Sequence, residues 1–351
     1  MFGSQLVNEQ ATWEDILAVL EVMEKGRWTS VYAYDHFIPP WHHDDRIMDH
    51  ELLDTLEGWS LLASIAAVTN KLKLGILVSG NTYRNPALMA KMAATIDVVS
   101  HGRVMLGIGA GWNVREHQAY GWEFPPLKER SDRLEEACCL IRKLFHDDGR
   151  VDFNGEYYTL KQAAFAPKRG GDQPIPIMVG GTGPKRTLKT LAMYGDIMNV
   201  IASPDQITYL SGVLEQHCEK IGRDPAEIQK TVHVPIRLIH EEKRAKEARG
   251  NNDWAMMGST QYVIDRIGDF LTLASQSSRL RSDHRTLRSI RNLTKPFSRH
   301  STRRLKLWCQ SQVRDGPILS TSRIFDLSVH PDSGPAPHVN STPSGSRSKP
   351  C

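Results

Sequence analysis

No stretch of this 351-residue chain approaches the roughly 18 consecutive apolar residues of a membrane span. The amino terminus lacks the basic segment and apolar core of a secretory leader, so a soluble, cytoplasmic protein is expected. Cysteine is scarce. There are five, an odd number, with no CxxC spacing and with Cys138 and Cys139 adjacent in a helical pattern. That argues against a secreted disulfide framework and for a reducing compartment. No GxxxxGK[ST] loop is present, and no GxGxxG follows a first strand, which disfavours P-loop chemistry and an NAD-type Rossmann domain. From Ser275 onward glutamate is absent, and eleven arginines and three lysines face four aspartates, a net +10. The whole chain carries only +4, so residues 1–274 are acidic, at about −6. The basic character belongs to the tail.

What is present before that tail is a regular alternation. Strands are expected at Phe2–Val7, Thr29–Tyr34, Leu72–Val78, Arg103–Ile108, Ile175–Val179, Asp196–Ile201 and Thr231–Ile239. Helices fall between them, the clearest at Pro86–Val99, Glu129–Phe145 and Pro204–Ile221. Pro86 has the fixed φ suited to a first helical turn. Asn154-Gly155, between alternating β formers, reads as a hairpin. Strands alternating with helices imply a parallel sheet with helical crossovers, and this many repeats favour a (β/α)8 barrel over a doubly wound sheet. The eighth strand of that α/β barrel is missing or replaced. Where an apolar run should follow Leu273, Ser and Arg dominate and periodicity vanishes. The expected organisation is a barrel over residues 1–274 and a basic, low-complexity tail over 275–351. That tail has three open readings: a gene-model artefact, a disordered extension, or a nucleic-acid-binding arm. Without interleaved aromatics or a recognisable module, nucleic acid is not the expected partner.

The chemistry is expected at the carboxyl ends of the strands, where right-handed crossovers bring the loops together. Gly180-Gly181-Thr182-Gly183 follows a buried strand and leads into a helix. Its small residues and free N–H groups suit a phosphate, with Lys185 and Arg186 adding positive field, although such turns also occur without ligands. Gly109-Ala110-Gly111, followed by Trp112, leaves room for a flat ring or serves tight packing. His36 ends the second strand with Asp35 beside it. A histidine there is suited to moving a proton, and direct pairing with Asp35 is an open question because neighbours on a strand face opposite ways. Trp41, five residues on, stacks on a substrate or anchors its loop. His42, His43, Asp44, Asp45, Asp49 and His50 lack metal-site spacing, so no metal is expected.

Taken together, DHF at the second strand, LVSGNTYRNPA after the third, GRVMLGIGAGWN at the fourth and GGTGPKRTL at the phosphate turn resemble the luciferase-like monooxygenase superfamily. Within it, the group of F420-dependent oxidoreductases is the nearer match. LEGWSLLASIAAVTNKLKLG and FPPLKERSDRLEEA add to the resemblance, which spans about Phe2–Leu273. The resemblance implies a barrel holding FMN or coenzyme F420 at its mouth and acting on a small organic substrate by hydride transfer or oxygen insertion. Residues matching the family's cofactor contacts are Ser79, Gly80 and Asn81, then Gly109, Ala110 and Gly111, then Gly180, Gly181, Thr182 and Gly183. A non-prolyl cis peptide is expected near the end of the third strand. His36 matches the catalytic histidine of the deazaflavin-dependent sugar-phosphate dehydrogenases, and Trp41 falls at or beside their active-site tryptophan. Those enzymes have a glutamate where this chain has Trp112, which removes their proton donor and argues against a sugar phosphate. Oxygen chemistry would require FMN and a flavin reductase partner, whereas hydride transfer suits either cofactor. Related barrels form homodimers. An inactive barrel remnant is the alternative if the eighth strand is truly absent.

Overall fold

The computed structural model of the chain describes residues 2–40, 50–169, 173–252, 254–277 and 321–326. In chain order the first half comprises β1 (Phe2–Gln5), α1 (Trp13–Lys25), β2 (Ser30–Ala33), α2 (Gly58–Val68), β3 (Lys73–Ile76), β4 (Ser79–Gly80), α3 (Pro86–Val99), β5 (Val104–Gly109), α4 (Val114–Tyr120) and α5 (Leu127–His146). The second half comprises β6 (Arg150–Asn154), β7 (Thr159–Ala164), β8 (Ile177–Gly180), α6 (Thr187–Tyr194), β9 (Ile197–Val200), α7 (Pro204–Ile221), β10 (Gln229–Leu238), α8 (Glu242–Arg249), β11 (Met256–Gly258), α9 (Thr260–Ser277) and β12 (Thr321–Asp326). The local signals act as expected. Thr12 and Asp15 form a capping box on α1, Ser203 and Gln206 do the same for α7 with Pro204 in its first turn, and Asn85 caps α3 ahead of Pro86.

The strands β1, β2, β3, β5, β8, β9 and β10 run parallel, each paired with the next. The ring is closed by β12, which lies antiparallel between β10 and β1, pairing Val232 with Phe325 on one side and Gly3 with Ile324 on the other. Of the ten strands in this sheet, β4 and β11 lie off the ring, leaving eight in it. The eighth position of the barrel is therefore replaced rather than open, by a segment from within the basic tail. Neither β1 nor β10 is left with an unpaired edge, because β12 occupies both. Its TSRIFD sequence is short and sits among Ser and Arg, so it carries no run that marks a buried parallel strand.

Side chains facing outward from the sheet, such as Leu74, Ile76, Leu106 and Ile108, pack with Leu62, Met89 and Leu140 of the surrounding helices in the main core. Burying each such side chain fully is worth about 1.5–3 kcal/mol. A second, smaller cluster fills the barrel interior: Tyr32, Leu77, Met105, Met178 and Ile197, with Val78 packed against it. The strand-period alternation of β5 puts Gly107 and Gly109 on the same inward row as Met105. The β6–β7 hairpin forms where Asn154-Gly155 suggests one, but with a longer connection. Asn154 pairs with Thr159, leaving Gly155–Tyr158 as the loop. The reason is Glu136 of α5, whose carboxylate accepts the amides of Glu156, Tyr157 and Tyr158.

Candidate active site

The third strand breaks after Ile76, a cis peptide joins Leu77 to Val78, and the chain resumes as β4, pairing Ser79 with Ile108. The non-prolyl cis peptide thus lies where the resemblance places it. The break turns Val78 inward. Methyl groups of Val78 stand 2.8 Å from where a Cβ on Gly180 would be and 2.9 Å from one on Gly109, too close for either residue to carry a side chain. These glycines accommodate Val78 directly. The space they leave is partly filled by protein, and Val78 forms the floor of the mouth.

Around this floor each expected residue has a definite place. Ser79 is buried and its hydroxyl accepts the indole N–H of Trp59 at 2.7 Å. Gly80 lies under the Tyr83 ring. Asn81 is buried. Its backbone N–H donates to the Gly109 carbonyl, and its Nδ2 donates to the Tyr158 hydroxyl at 3.0 Å. Its Oδ1 is buried with no hydrogen-bond partner among the described residues. Ala110 and Gly111 are half-buried, and Gly111, at φ +78°, abuts the Thr82 hydroxyl. That hydroxyl is 2.7 Å from Nε2 of buried His117, whose Nδ1 is 2.7 Å from the Asn113 carbonyl. The carbonyl takes a proton from Nδ1, and the Thr82 hydroxyl occupies Nε2, so both ring nitrogens of His117 are engaged as a strut.

In the phosphate turn, Gly181 and Thr182 are exposed, with Gly183 half-buried. Gly181 sits at φ +125°, a conformation that side chains avoid. The following helix α6 has no side-chain cap, although its Leu188 N–H donates to the Gly183 carbonyl and the Gly181 N–H to the Asn199 carbonyl. The expected contribution of Arg186 does not materialise. Its guanidinium pairs with Asp132 and Glu135 on α5. Trp41 and the cluster from His42 to Asp49 lie outside the described residues.

His36 is the centre of the remaining chemistry. Asp35 does not pair with it. Asp35 faces away and takes Nη1 of Arg84 at 2.6 Å, while Nη2 of Arg84 reaches Glu57 at 2.6 Å. Burial pushes the Asp35 carboxyl up, against the pull of Arg84. The partner of His36 is instead Glu116, at 2.8 Å from Nδ1. The Glu116 side chain is 0% exposed and that of His36 11%. The other Glu116 oxygen accepts the backbone amides of Phe37 at 2.5 Å and Ile38 at 3.2 Å, and Tyr83 donates its hydroxyl at 2.5 Å to the oxygen that faces His36. Burial raises the cost of charge on Glu116, but these donors and His36 outweigh it and hold the carboxyl below its ordinary value. Burial and Glu116 push the Tyr83 phenol up, so it stays a donor. Four residues after Trp112, Glu116 thus sets a carboxylate directly on the histidine. Glu116 escaped notice in the sequence because an acidic residue in the first turn of a short helix reads as an ordinary favourable helix charge.

Trp112 remains 52% exposed and sets its indole edge-on to His36, with ring centroids 5.4 Å apart. On the other side Tyr34 lies 5.8 Å from the His36 ring, and its hydroxyl is 3.4 Å from the Glu9 carboxylate. Burial raises Glu9, with Tyr34 and His36 opposing. An imidazole, an indole, a phenol and a carboxyl pushed above its ordinary value thus lie together at the carboxyl end of β2. No group of His, Cys, Asp and Glu fit to hold a metal occurs among the described residues.

Comparison with known proteins identifies the family. The model of the luciferase-like monooxygenase family matches residues 2–303. The chain is 33% identical over 255 residues to an F420-dependent glucose-6-phosphate dehydrogenase of Kineococcus radiotolerans, covering 72% of this chain and 71% of the relative. It is 30% identical over 290 residues to the enzyme of that name from Amycolatopsis mediterranei, covering 79% and 83%. Among solved structures, an F420-dependent secondary alcohol dehydrogenase in complex with an F420–acetone adduct superposes with a TM-score of 0.67 at 24% identity, covering 77% of this chain and 89% of that one. The coenzyme F420-dependent tetrahydromethanopterin reductase of Methanopyrus kandleri gives 0.61 at 19% identity, over 78% and 90%. The chain belongs to the luciferase-like monooxygenase family and is an oxidoreductase of the flavin- or deazaflavin-dependent kind.

Proposed function

We propose that this member of the luciferase-like monooxygenase family is an F420-dependent dehydrogenase that interconverts a small, uncharged alcohol and its carbonyl compound. The observation that carries the reading is the His36–Glu116 pair at the mouth, a built proton-handling device where a dehydrogenase needs one. The residues also suit the cofactor. Asn81 Oδ1 is a buried acceptor lacking a donor, and the pyrimidinedione edge shared by flavins and deazaflavins offers N–H groups. Gly181, Thr182 and Gly183 with the uncapped start of α6 suit the phosphate. A bound deazaflavin would supply two-electron hydride chemistry, and no flavin reductase is then needed. The chain's own residues do the rest. Val78 would support a bound ring, Trp112 would wall the substrate, and His36 would take the hydroxyl proton in oxidation or return it in reduction.

The substrate is read as uncharged because the arginines beside His36, Glu116 and Gly111 are already engaged. Arg84 is held by Asp35 and Glu57, Arg115 by Glu51, and Arg130 by the Gly111 and Pro125 carbonyls. The active barrel is assigned to residues 1–274, with Thr321–Asp326 as its closing strand. The test is anaerobic reduction of F420, followed by its absorbance, with a panel of neutral primary and secondary alcohols and with glucose 6-phosphate. Turnover with a neutral alcohol and none with the sugar phosphate is expected. The opposite pattern would return the chain to the specificity its relatives are named for.

A further inference from the structure

Glu116 is saturated in a way that determines which proton His36 carries. One oxygen is occupied by two backbone amides, and the other meets Tyr83 Oη and His36 Nδ1. An ionised carboxylate only accepts, so Nδ1 must present a proton to it. In neutral imidazole the lone pair then resides on Nε2, which has no hydrogen-bond partner among the described residues. The ring is also held against rotation by Trp112 at one edge and Tyr34 beside it. We propose that Glu116 is the positioning residue of the site: it locks His36 in the Nδ1–H tautomer and so offers Nε2 to the substrate hydroxyl. The role of Nε2 rests on the proposed proton transfer, whereas the tautomer lock does not. Two further features show that the lock is built. The Phe37 and Ile38 amides tie the carboxylate to the backbone just after His36, so histidine and partner cannot drift apart independently. Asn113, at the start of α4, accepts the Glu116 amide at 3.3 Å, which fixes the helix turn bearing the carboxylate.

The consequence for Glu116→Gln is specific. A glutamine has one acceptor oxygen, which the Phe37 and Ile38 amides require, and its NH2 group then faces His36. Nδ1 must become an acceptor and the proton moves to Nε2. The experiment is nitrogen-detected NMR of the full chain labelled at histidine nitrogen, at neutral pH without substrate, with the His36 signals assigned by their loss in His36→Gln. The wild type is expected to show protonated Nδ1, Glu116→Gln protonated Nε2, and Glu116→Asp a return toward Nδ1. Protonated Nε2 in the wild type, which requires no variant to fold, overturns the proposal, as does an unchanged tautomer in Glu116→Gln. With the F420-loaded enzyme, Glu116→Gln should lower kcat on the order of 10²-fold, within the range of acid–base catalysis. KM and F420 affinity should stay within about twofold. In a His36→Ala background the same change should do nothing more to kcat, because Glu116 acts through the imidazole. A second, comparable fall there would also overturn it. Should His36→Ala itself leave turnover unchanged while the tautomer result holds, the proton-transfer reading fails and the lock stands.

Discussion

Val78 lies against Gly180: its methyl carbons occupy the positions 2.8–2.9 Å from where a Cβ on that glycine would stand. The inward turn of the third strand and the glycine ending β8 are thus one packing feature, and it sets the height of the mouth's floor. Gly180→Ala should force Val78 upward and cost about 1–3 kcal/mol as an overpacking change. Equilibrium denaturation checks this, and Val78→Ala in the same chain should recover part of the loss.

At the phosphate turn the glycine requirement has a different origin. Gly181 has its left-handed φ of +125° with no clash beyond ordinary contact to Thr187. Gly181→Val, strained at this φ, should weaken F420 binding at least tenfold and cost about 1–3 kcal/mol of stability, while the far-UV circular dichroism keeps its native shape. Retained affinity would place the phosphate elsewhere.

Trp112 stands edge-on to His36 and is proposed to wall the substrate. Trp112→Ala should raise the substrate KM severalfold and alter F420 affinity by less than twofold. Steady-state kinetics beside a fluorescence titration separates the two, and the reverse pattern would move the indole to the cofactor wall.

His233, on β10, is a buried histidine with Nε2 unpartnered among the described residues, and burial pushes it down to about 4 from an ordinary 6.5. Its folded-state value is depressed, so the unfolded chain binds the proton more readily between those limits. Stability from this group is fully present above about pH 6.5 and is lost as pH falls toward 4. Thermal melts from pH 7 to pH 4.5 should show that decline, and His233→Leu should flatten it. An equal slope in the variant would assign the decline to other groups.

The parallel part of the barrel was legible because the strands carry compact apolar runs and several helices an identifiable cap, as at Thr12, Asn85 and Ser203. The closing strand was not. A strand reached after a long Ser/Arg-rich connection has only its own six residues to announce it, and TSRIFD has no strict alternation. The same limit hid Glu116. Its partner His36 is 80 residues away, and the pairing arises because β2 and β5 end at the same rim, a relationship of topology rather than spacing. Asp35 shows the converse. Strand geometry points neighbouring residues apart, and it found Arg84 rather than His36.

If β12 closes the ring in solution, truncation after Ser277 should leave β1 and β10 with unpaired edges. A lower melting temperature and concentration-dependent aggregation are expected, measured by calorimetry and light scattering. A truncated chain as stable and monodisperse as the full one would show that the seam needs no strand from the tail.

The most direct test of the central claim is a fluorescence titration of the purified full-length protein with F420 and, separately, with FMN. Micromolar binding of F420, abolished by Gly181→Val and much tighter than that of FMN, is the predicted result. Preference for FMN, or binding of neither, would contradict it.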